Sequence, residues 1–190
     1  MAAQLHLFRH GETAWSLTGQ HTGRTDLPLT AEGERRAGRL RARLESIPFA
    51  RVLTSPRLRA RQTCELAGCG AAAQVEADLQ EWDYGDYEGL TTPQILLREP
   101  GWEVFLDGCP HGESVAQVCA RADRVLAALR SADGPVALFS HGQFLRALAV
   151  RWIGLPVRAA RHFALDTASV SVLGFEQHNG PVPAVCLWNS

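Results

Sequence analysis

A three-layer α/β/α domain with a largely parallel central sheet is the fold class that this 190-residue sequence predicts. Three observations point to it. Short apolar runs alternate with segments of helical period, the pattern of strands joined by crossover helices. Two of those runs, Leu5-His6-Leu7-Phe8-Arg9-His10-Gly11 and Val136-Ala137-Leu138-Phe139-Ser140-His141-Gly142, end in the same way, on a polar residue, a histidine and a glycine. The length suits one compact domain with a substantial core and is short for two, so residues 1–190 are expected to form a single domain.

Leu5 to Arg9 is the first strand, and Gly11 lets the backbone turn after His10. Glu12 to Leu17 begins a short helix, and Gln20 to Leu29 is a polar loop punctuated by glycine and proline. Thr30 is placed as an N-cap, with Ala31, Ala37, Leu40, Leu44 and Ile47 at helical spacing behind it. Arg51 to Thr54 is the second strand. It runs into Ser55-Pro56, which reads as a serine N-cap with proline at the first helical position of a helix ending near Ala67. Gly68-Cys69-Gly70 stops that helix, and Gln74-Val75-Glu76 is the third strand.

From residue 78 to about 113 the periodicity fades. Glu81-Trp82-Asp83-Tyr84-Gly85-Asp86-Tyr87-Glu88-Gly89 alternates carboxylates with aromatics as no core element does, so a small cap excursion over the mouth of the sheet is expected there. Ser114 to Gln117 has capping-box spacing ahead of the apolar stripe Val115, Val118, Ala122, Val125, Leu126 and Leu129. Gly134-Pro135 ends this helix. The strand Val136 to Phe139, a helix from about Gln143 to Trp152, and strand-like pieces at Val170 to Phe175 and Ala184 to Leu187 complete the chain.

Composition narrows the functional classes. The charged fraction is 21% and the net charge is −1, which gives no general attraction to nucleic acid or to an anionic membrane. No signal segment or bilayer-length apolar run is read, and a cytoplasmic location is the expectation. The five cysteines are scattered without C-x-x-C spacing, so neither a disulfide framework nor a zinc knuckle is indicated. The oligomeric state is not written in the sequence.

In a parallel sheet ligands bind at the carboxyl ends of the strands. His10, the stretch Ser55 to Arg59, and His141 all follow strands on that edge. Arg9 and Arg59 would supply fixed positive charge, the histidines two imidazoles, and the helix starts unpaired N–H groups. That set suits a phosphoryl dianion. An imidazole aligned on phosphorus can form a phosphohistidine, splitting one difficult transfer into two, and Glu81 is the candidate proton source for the departing alkoxide.

Other readings stand beside this one. His6 and His162 lie among apolar residues and read as structural, while His178 reads as solvated. His21 and His111 sit in loops that reach toward the mouth. Arg57 and Arg61, one turn apart, are either a solvated face or substrate contacts, and Trp82, Tyr84 and Tyr87 are either packing or a sugar-stacking wall. Two competing sites are conceivable: a two-histidine, one-carboxylate metal centre built from His10, His141 and Glu81, and a silent phosphate-binding module.

Taken together, Arg9-His10-Gly11-Glu12-Thr13, Thr22-Gly23 with Asp26-Leu27-Pro28-Leu29-Thr30, Ser55-Pro56-Arg57-Leu58-Arg59-Ala60-Arg61-Gln62-Thr63, the segment Glu81 to Gly89, Gly112-Glu113-Ser114 and Ser140-His141-Gly142 resemble the histidine phosphatase superfamily, with its phosphoglycerate mutase-like fold. The resemblance covers nearly the whole chain in the right order. It implies that His10 is the phosphorylated nucleophile, that Arg9 and Arg59 clamp the phosphoryl group, that His141 completes the pocket, and that Glu81 gives and then takes the proton. It further implies substrate contacts from Thr22, Gly23, His21 and Ser16, the last standing where many members have asparagine. Neither metal nor cofactor is implied. The expected partners are a small phosphorylated substrate, a sugar phosphate or bisphosphate, and inorganic phosphate as product. Glu81 is followed by Trp82-Asp83-Tyr84-Gly85, with no Arg-His pair and only a short insertion, so the resemblance favours the phosphatase branch. Within it, the wording at Ser16, His21-Thr22-Gly23 and Glu81 to Gly89 is similar to sedoheptulose bisphosphatase. A cofactor-dependent phosphoglycerate mutase is the alternative.

Overall fold

Six strands hydrogen-bond into one mixed sheet whose centre is the first strand of the chain. The structure is a computed structural model that describes residues 4–177 and 180–190; His178 lies outside the described residues. Strand β1 (Gln4–Arg9) is followed by helices α1 (Ala14–Thr18), α2 (Ala31–Arg39) and α3 (Arg41–Leu44). Next come β2 (Arg51–Thr54), α4 (Leu58–Leu66) and β3 (Ala73–Val75), and then the irregular stretch with α5 (Thr92–Leu96) and α6 (Val104–Asp107). Helix α7 (Val115–Leu129), β4 (Pro135–Ser140), α8 (Gly142–Trp152), β5 (Val170–Gln177) and β6 (Pro181–Leu187) complete the order.

The strands lie in the order β3-β2-β4-β1-β5-β6. The first four are mutually parallel, β5 runs antiparallel to β1, and β6 runs antiparallel to β5. The period-2 alternation of the strands divides the core into two layers. Leu5, Leu7, Leu53, Val136 and Leu138 face α7 and α8, whose stripe of Val118, Ala122, Val125, Leu126, Leu145 and Leu148 covers them. Phe8, Val52, Ala137 and Phe139 face the other way, against Leu40, Leu44, Cys64 and Ala67. Strands β1 and β4 are therefore buried on both faces, which is why they read as near-continuous apolar runs.

Three local expectations are corrected. The helix foreseen from Thr30 to about Ile47 is interrupted at Leu40 and continues as the short α3, although Thr30 does cap it by accepting the Gly33 N–H at 3.0 Å. Ser55 does not cap α4. The chain stays extended through Arg57 (φ −73°, ψ 136°), so Pro56 lies outside the helix, and the Leu58 N–H is taken by Asp26 Oδ1 at 2.7 Å. A carboxylate from the 20–29 loop thus does the capping, and the Ser55 hydroxyl is left for other work. His162 is exposed and touches Arg161 rather than an apolar core, whereas His6 is buried, edge-on to Phe49 and bonded to Gln4. Among the described residues no helix is long and apolar enough to cross a membrane.

Candidate active site

Strand register brings the two histidines together. In the parallel β1–β4 pair Arg9 stands opposite Ser140, so the next residue of each strand, His10 and His141, emerges side by side with ring centroids 5.2 Å apart. The His10 N–H donates to Ser140 O at 2.9 Å and continues the ladder one step past the strand ends. The following turn is tight: a Cβ on Gly11 would lie 2.7 Å from the carbonyl oxygen of Gly33 in α2. Thr63 of α4 accepts the Gly11 N–H at 2.9 Å, so the turn carrying His10 is clasped from both sides. β2 ends beside β4, and Ser55 at its end meets His141 Nε2 at 2.7 Å.

His10 is buried and its Nδ1 lies 2.7 Å from Gly11 O, a carbonyl that only accepts. Nδ1 therefore carries the hydrogen, and Nε2 holds the lone pair. Burial, and then the charges of Arg59 and Arg9, hold the imidazole pKa well below its ordinary value, so the ring is neutral at physiological pH. His141 is likewise held well below its usual value by burial and Arg59. Its Nδ1 is buried without a partner.

Two guanidiniums surround this pair. Arg9 donates Nη1 to Leu165 O and packs against α8, where a Cβ on Gly142 would come within 3.2 Å of Arg9 Nε. Arg59 is completely buried and gives its Nη groups to the carbonyls of Thr25, Thr22 and Gly23 at 2.9–3.1 Å. The Nε of each is buried and unpartnered. Buried donors without acceptors are costly, and they are the groups that a bound oxyanion would satisfy.

Glu81 arrives from the irregular stretch. Its Oε1 accepts the N–H of Trp82 and Phe144, both at 2.9 Å, and its Oε2 that of Gln143 at 3.0 Å, so the carboxylate docks on the first turn of α8. Its backbone is gripped by Arg121 of α7, whose guanidinium donates to the carbonyls of Asp78, Gln80 and Glu81 and pairs with Glu113 at 2.8 Å. Ser140 adds a 2.6 Å bond to Leu79 O. Trp82, Tyr84 and Tyr87 are buried in the core, so the aromatics of this stretch are packing rather than a free wall, with Tyr84 alone also lining the cleft.

These elements enclose a cleft of about 190 Å³ lined by Arg9, His10, Ser16, His21, Thr22, Glu81 and Tyr84, with Gln143 and Arg146 from α8 on one wall. Of the residues singled out in the sequence, Arg59 and His141 stand fully buried beside the cleft rather than on its surface. Gly23 is not on its wall: its N–H is bound by both oxygens of Glu88, at 2.9 and 3.0 Å. His21 lies against Tyr84 and Trp102, and burial pushes its pKa down to about 4. His111 is exposed and paired with Asp86 at 2.8 Å, and Arg61 points to solvent elsewhere. Arg57 bonds Arg24 O and Gln80. Among the described residues no group of three or more His, Cys, Asp or Glu side chains gathers to hold a metal ion.

Sequence reasoning missed Ser55 as the partner of His141, Arg121 as the grip on Glu81, and Gln143 and Arg146 as wall residues. The last two had a signal: Gly142, Gln143 and Arg146 share one helical face directly after His141.

Comparison with known proteins agrees with this geometry. A profile of the histidine phosphatase superfamily (branch 1) matches residues 5–188. An acid phosphatase of Mycobacterium tuberculosis is 49% identical over 178 residues, spanning 91% of this chain and 87% of the relative. The sedoheptulose 1,7-bisphosphatase of Saccharomyces cerevisiae is 32% identical over 246 residues, spanning 94% and 90% of the two chains. A solved mycobacterial glucosyl-3-phosphoglycerate phosphatase superposes with a TM-score of 0.85 at 25% identity, over 100% of both chains. With two neutral imidazoles beside Arg9 and buried Arg59 and a profile match over residues 5–188, the chain belongs to the histidine phosphatase superfamily, branch 1.

Proposed function

We propose that this phosphatase hydrolyses the monoester of a small sugar phosphate through a phosphohistidine on His10, in the cytoplasm. The observation that carries the reading is the state of His10: a neutral imidazole with Nδ1 tied to Gly11 O and Nε2 unbonded, on the wall of a cleft lined by Arg9 and backed by Arg59, each with an unpartnered Nε. The sugar moiety is supported by what two similar proteins are named for, a sedoheptulose bisphosphatase and a glucosyl-3-phosphoglycerate phosphatase. The small cleft fits a compact ester.

In the first step His10 Nε2 forms a bond to phosphorus as the ester P–O bond breaks, and the departing alkoxide takes a proton from Glu81. In the second, Glu81 removes a proton from water, the oxygen attacks phosphorus, and the N–P bond breaks to give inorganic phosphate. Charge on the transferring oxygens is met by Arg9, Arg59 and His141, donors already in place. Ser55, at 2.7 Å from His141 Nε2, fixes that ring, and Ser16 and Thr22, which line the cleft, are the further candidates for contact with the ester. No step calls for a metal ion.

The test is to quench turnover of a ³²P-labelled sugar phosphate and look for acid-labile, base-stable label on the protein. Label on wild type and none on His10→Ala is expected. Wild-type activity in His10→Ala would overturn the reading. Transfer of phosphate between phosphoglycerates with little net release would instead identify a mutase.

A further inference from the structure

A carboxylate stands behind the phosphoryl clamp, one peptide unit away from it. Glu88, half-buried in the irregular stretch that also carries Glu81, takes the Gly23 N–H on both oxygens, at 2.9 and 3.0 Å, and the Thr25 N–H on Oε1 at 3.0 Å. Each N–H is one end of a peptide unit whose carbonyl points the opposite way, since every described peptide bond is trans. Behind the Gly23 N–H is Thr22 O, which accepts Arg59 Nη2 at 2.9 Å. Behind the Thr25 N–H is Arg24 O, which accepts Arg57 Nη1 at 3.0 Å. One carboxylate therefore faces two guanidiniums across two peptides, each peptide turning its positive end to Glu88 and its negative end to an arginine.

The chain is shaped for this approach. The Gly89 N–H donates to His21 O at 2.8 Å and the His21 N–H to Leu90 O at 2.9 Å, which lays the segment after Glu88 along the loop. Position 23 has no room for a side chain: a Cβ there would lie 2.8 Å from Glu88 Oε2 and 2.4 Å from Trp82 O. Burial and then Arg57 oppose the charge on Arg59, whereas Glu81, Asp26 and Glu88 support it. Glu81 gives no such support while it carries the proton for the leaving group. A carboxylate paired directly with Arg59 would occupy the donors that the phosphoryl group needs. Acting across a peptide, Glu88 steadies the fork and leaves Nε without a protein partner.

We propose that Glu88 is a positioning residue of the phosphoryl clamp, holding the Arg59 fork through the Thr22–Gly23 peptide so that its Nε is kept for the phosphoryl group. This rests on the phosphatase reading above. It separates the two acids of the irregular stretch: Glu81 serves the leaving group and Glu88 the phosphoryl group.

The experiment reads phosphoryl binding apart from leaving-group chemistry. Glu88→Gln keeps the size of the side chain, removes its charge and sets an amide NH₂ against the Gly23 N–H. It is expected to weaken competitive inhibition by inorganic phosphate by about 10- to 100-fold, the scale of one hydrogen bond to a charged group, and to lower kcat/KM alike on a sugar phosphate and on p-nitrophenyl phosphate. A merely structural role would lower Tm and the active fraction but leave the phosphate inhibition constant of the folded enzyme in place. In an Arg59→Lys background, where the fork is gone, the same substitution should cost less than about 3-fold. An unchanged phosphate inhibition constant in folded Glu88→Gln, or the full loss repeated in the Arg59→Lys background, would overturn the role while leaving the phosphatase reading intact. Absence of hydrolysis of every ester by the wild type would instead strike the phosphatase reading itself. Should Glu88→Gln not fold, Glu88→Asp decides: it withdraws the charge by one methylene, an intermediate weakening is expected, and no weakening overturns the role. Should Arg59→Lys be too slow to assay, the Arg59 Nε–H resonance decides. At a phosphate concentration that shifts it fully in wild type it should stay largely unshifted in Glu88→Gln, and a full shift there would overturn the role.

Discussion

The two halves of the catalytic cleft are held by different means. On one side, His10 and His141 sit one residue past paired parallel strands, and the sheet's own backbone ladder fixes their spacing. On the other, Glu81 comes from a stretch with no strand pairing, and side chains hold it: buried Arg121 on three carbonyls, half-buried Glu113 on Arg121, and buried Ser140 on Leu79 O. Backbone pairing survives almost any side-chain substitution. A grip built on one buried arginine does not, because removing Arg121 leaves three carbonyls without their donor and half-buried Glu113 without its counter-charge. The proton-handling side of the site is thus the vulnerable side, and the nucleophile's side the robust one.

The largest effect that separates the two halves is chemical. Glu81→Gln should lower kcat on sugar phosphates by about 10²- to 10⁴-fold, with a much smaller loss on p-nitrophenyl phosphate, whose leaving group needs no proton. Equal losses on both substrates would show that Glu81 serves the fold or the phosphoryl group rather than the leaving group.

Next in size, Arg121→Met leaves Glu113 unpaired and frees the backbone that presents Glu81. We expect a loss of about 3–5 kcal/mol in urea unfolding, together with a rise in hydrogen exchange from 78 to 88 and little change at β1 and β4. Uniform exchange gains across the sheet would break the contrast drawn here.

On the strand side, Gly11→Ala places a methyl 2.7 Å from Gly33 O, a backbone atom that cannot swing aside. The turn after His10 must move away from α2. A cost of about 1–3 kcal/mol is expected, and the position of His10 makes a fall in kcat accompany it. A crystal structure of the variant with an unshifted His10 would argue that the turn is slack.

The smallest effect is on pH. His10, His141 and His21 have their pKa values depressed in the fold, His21 to about 4. Below about 6.5 the unfolded chain binds protons that the folded chain refuses. Their contribution to stability is therefore complete above that value and is lost as pH falls from there toward 4. Thermal melts should show Tm dropping across that window, less steeply in His21→Gln, while the acid limb of kcat/KM lies below the ordinary histidine range. An acid limb centred at or above 6.5 would mean that His10 is not held neutral.

Much of this was legible along the chain. The apolar runs at 5–8 and 136–139 announced buried parallel strands, and the repeated polar-His-Gly endings announced where the ligand edge lay, because a strand end and a glycine turn are local features. The fold class and the position of Thr30 as a cap follow from the same short-range grammar. The sequence by itself therefore determined the elements, their edge and the kinds of side chain presented there.

Only the tertiary structure decided who meets whom. Asp26 rather than Ser55 caps α4, Ser55 turns to His141, and Gly23 gives its N–H to Glu88. His162 is at the surface although Ala160 and Phe163 stand close to it in sequence. The meeting of Ser55 with His141 depends on the strand order β3-β2-β4-β1-β5-β6, which brings the ends of β2, β4 and β1 to one edge. A buried polar atom takes the nearest partner in space, and proximity across 32 to 86 residues of chain is set by sheet register and helix packing, not by spacing along the sequence.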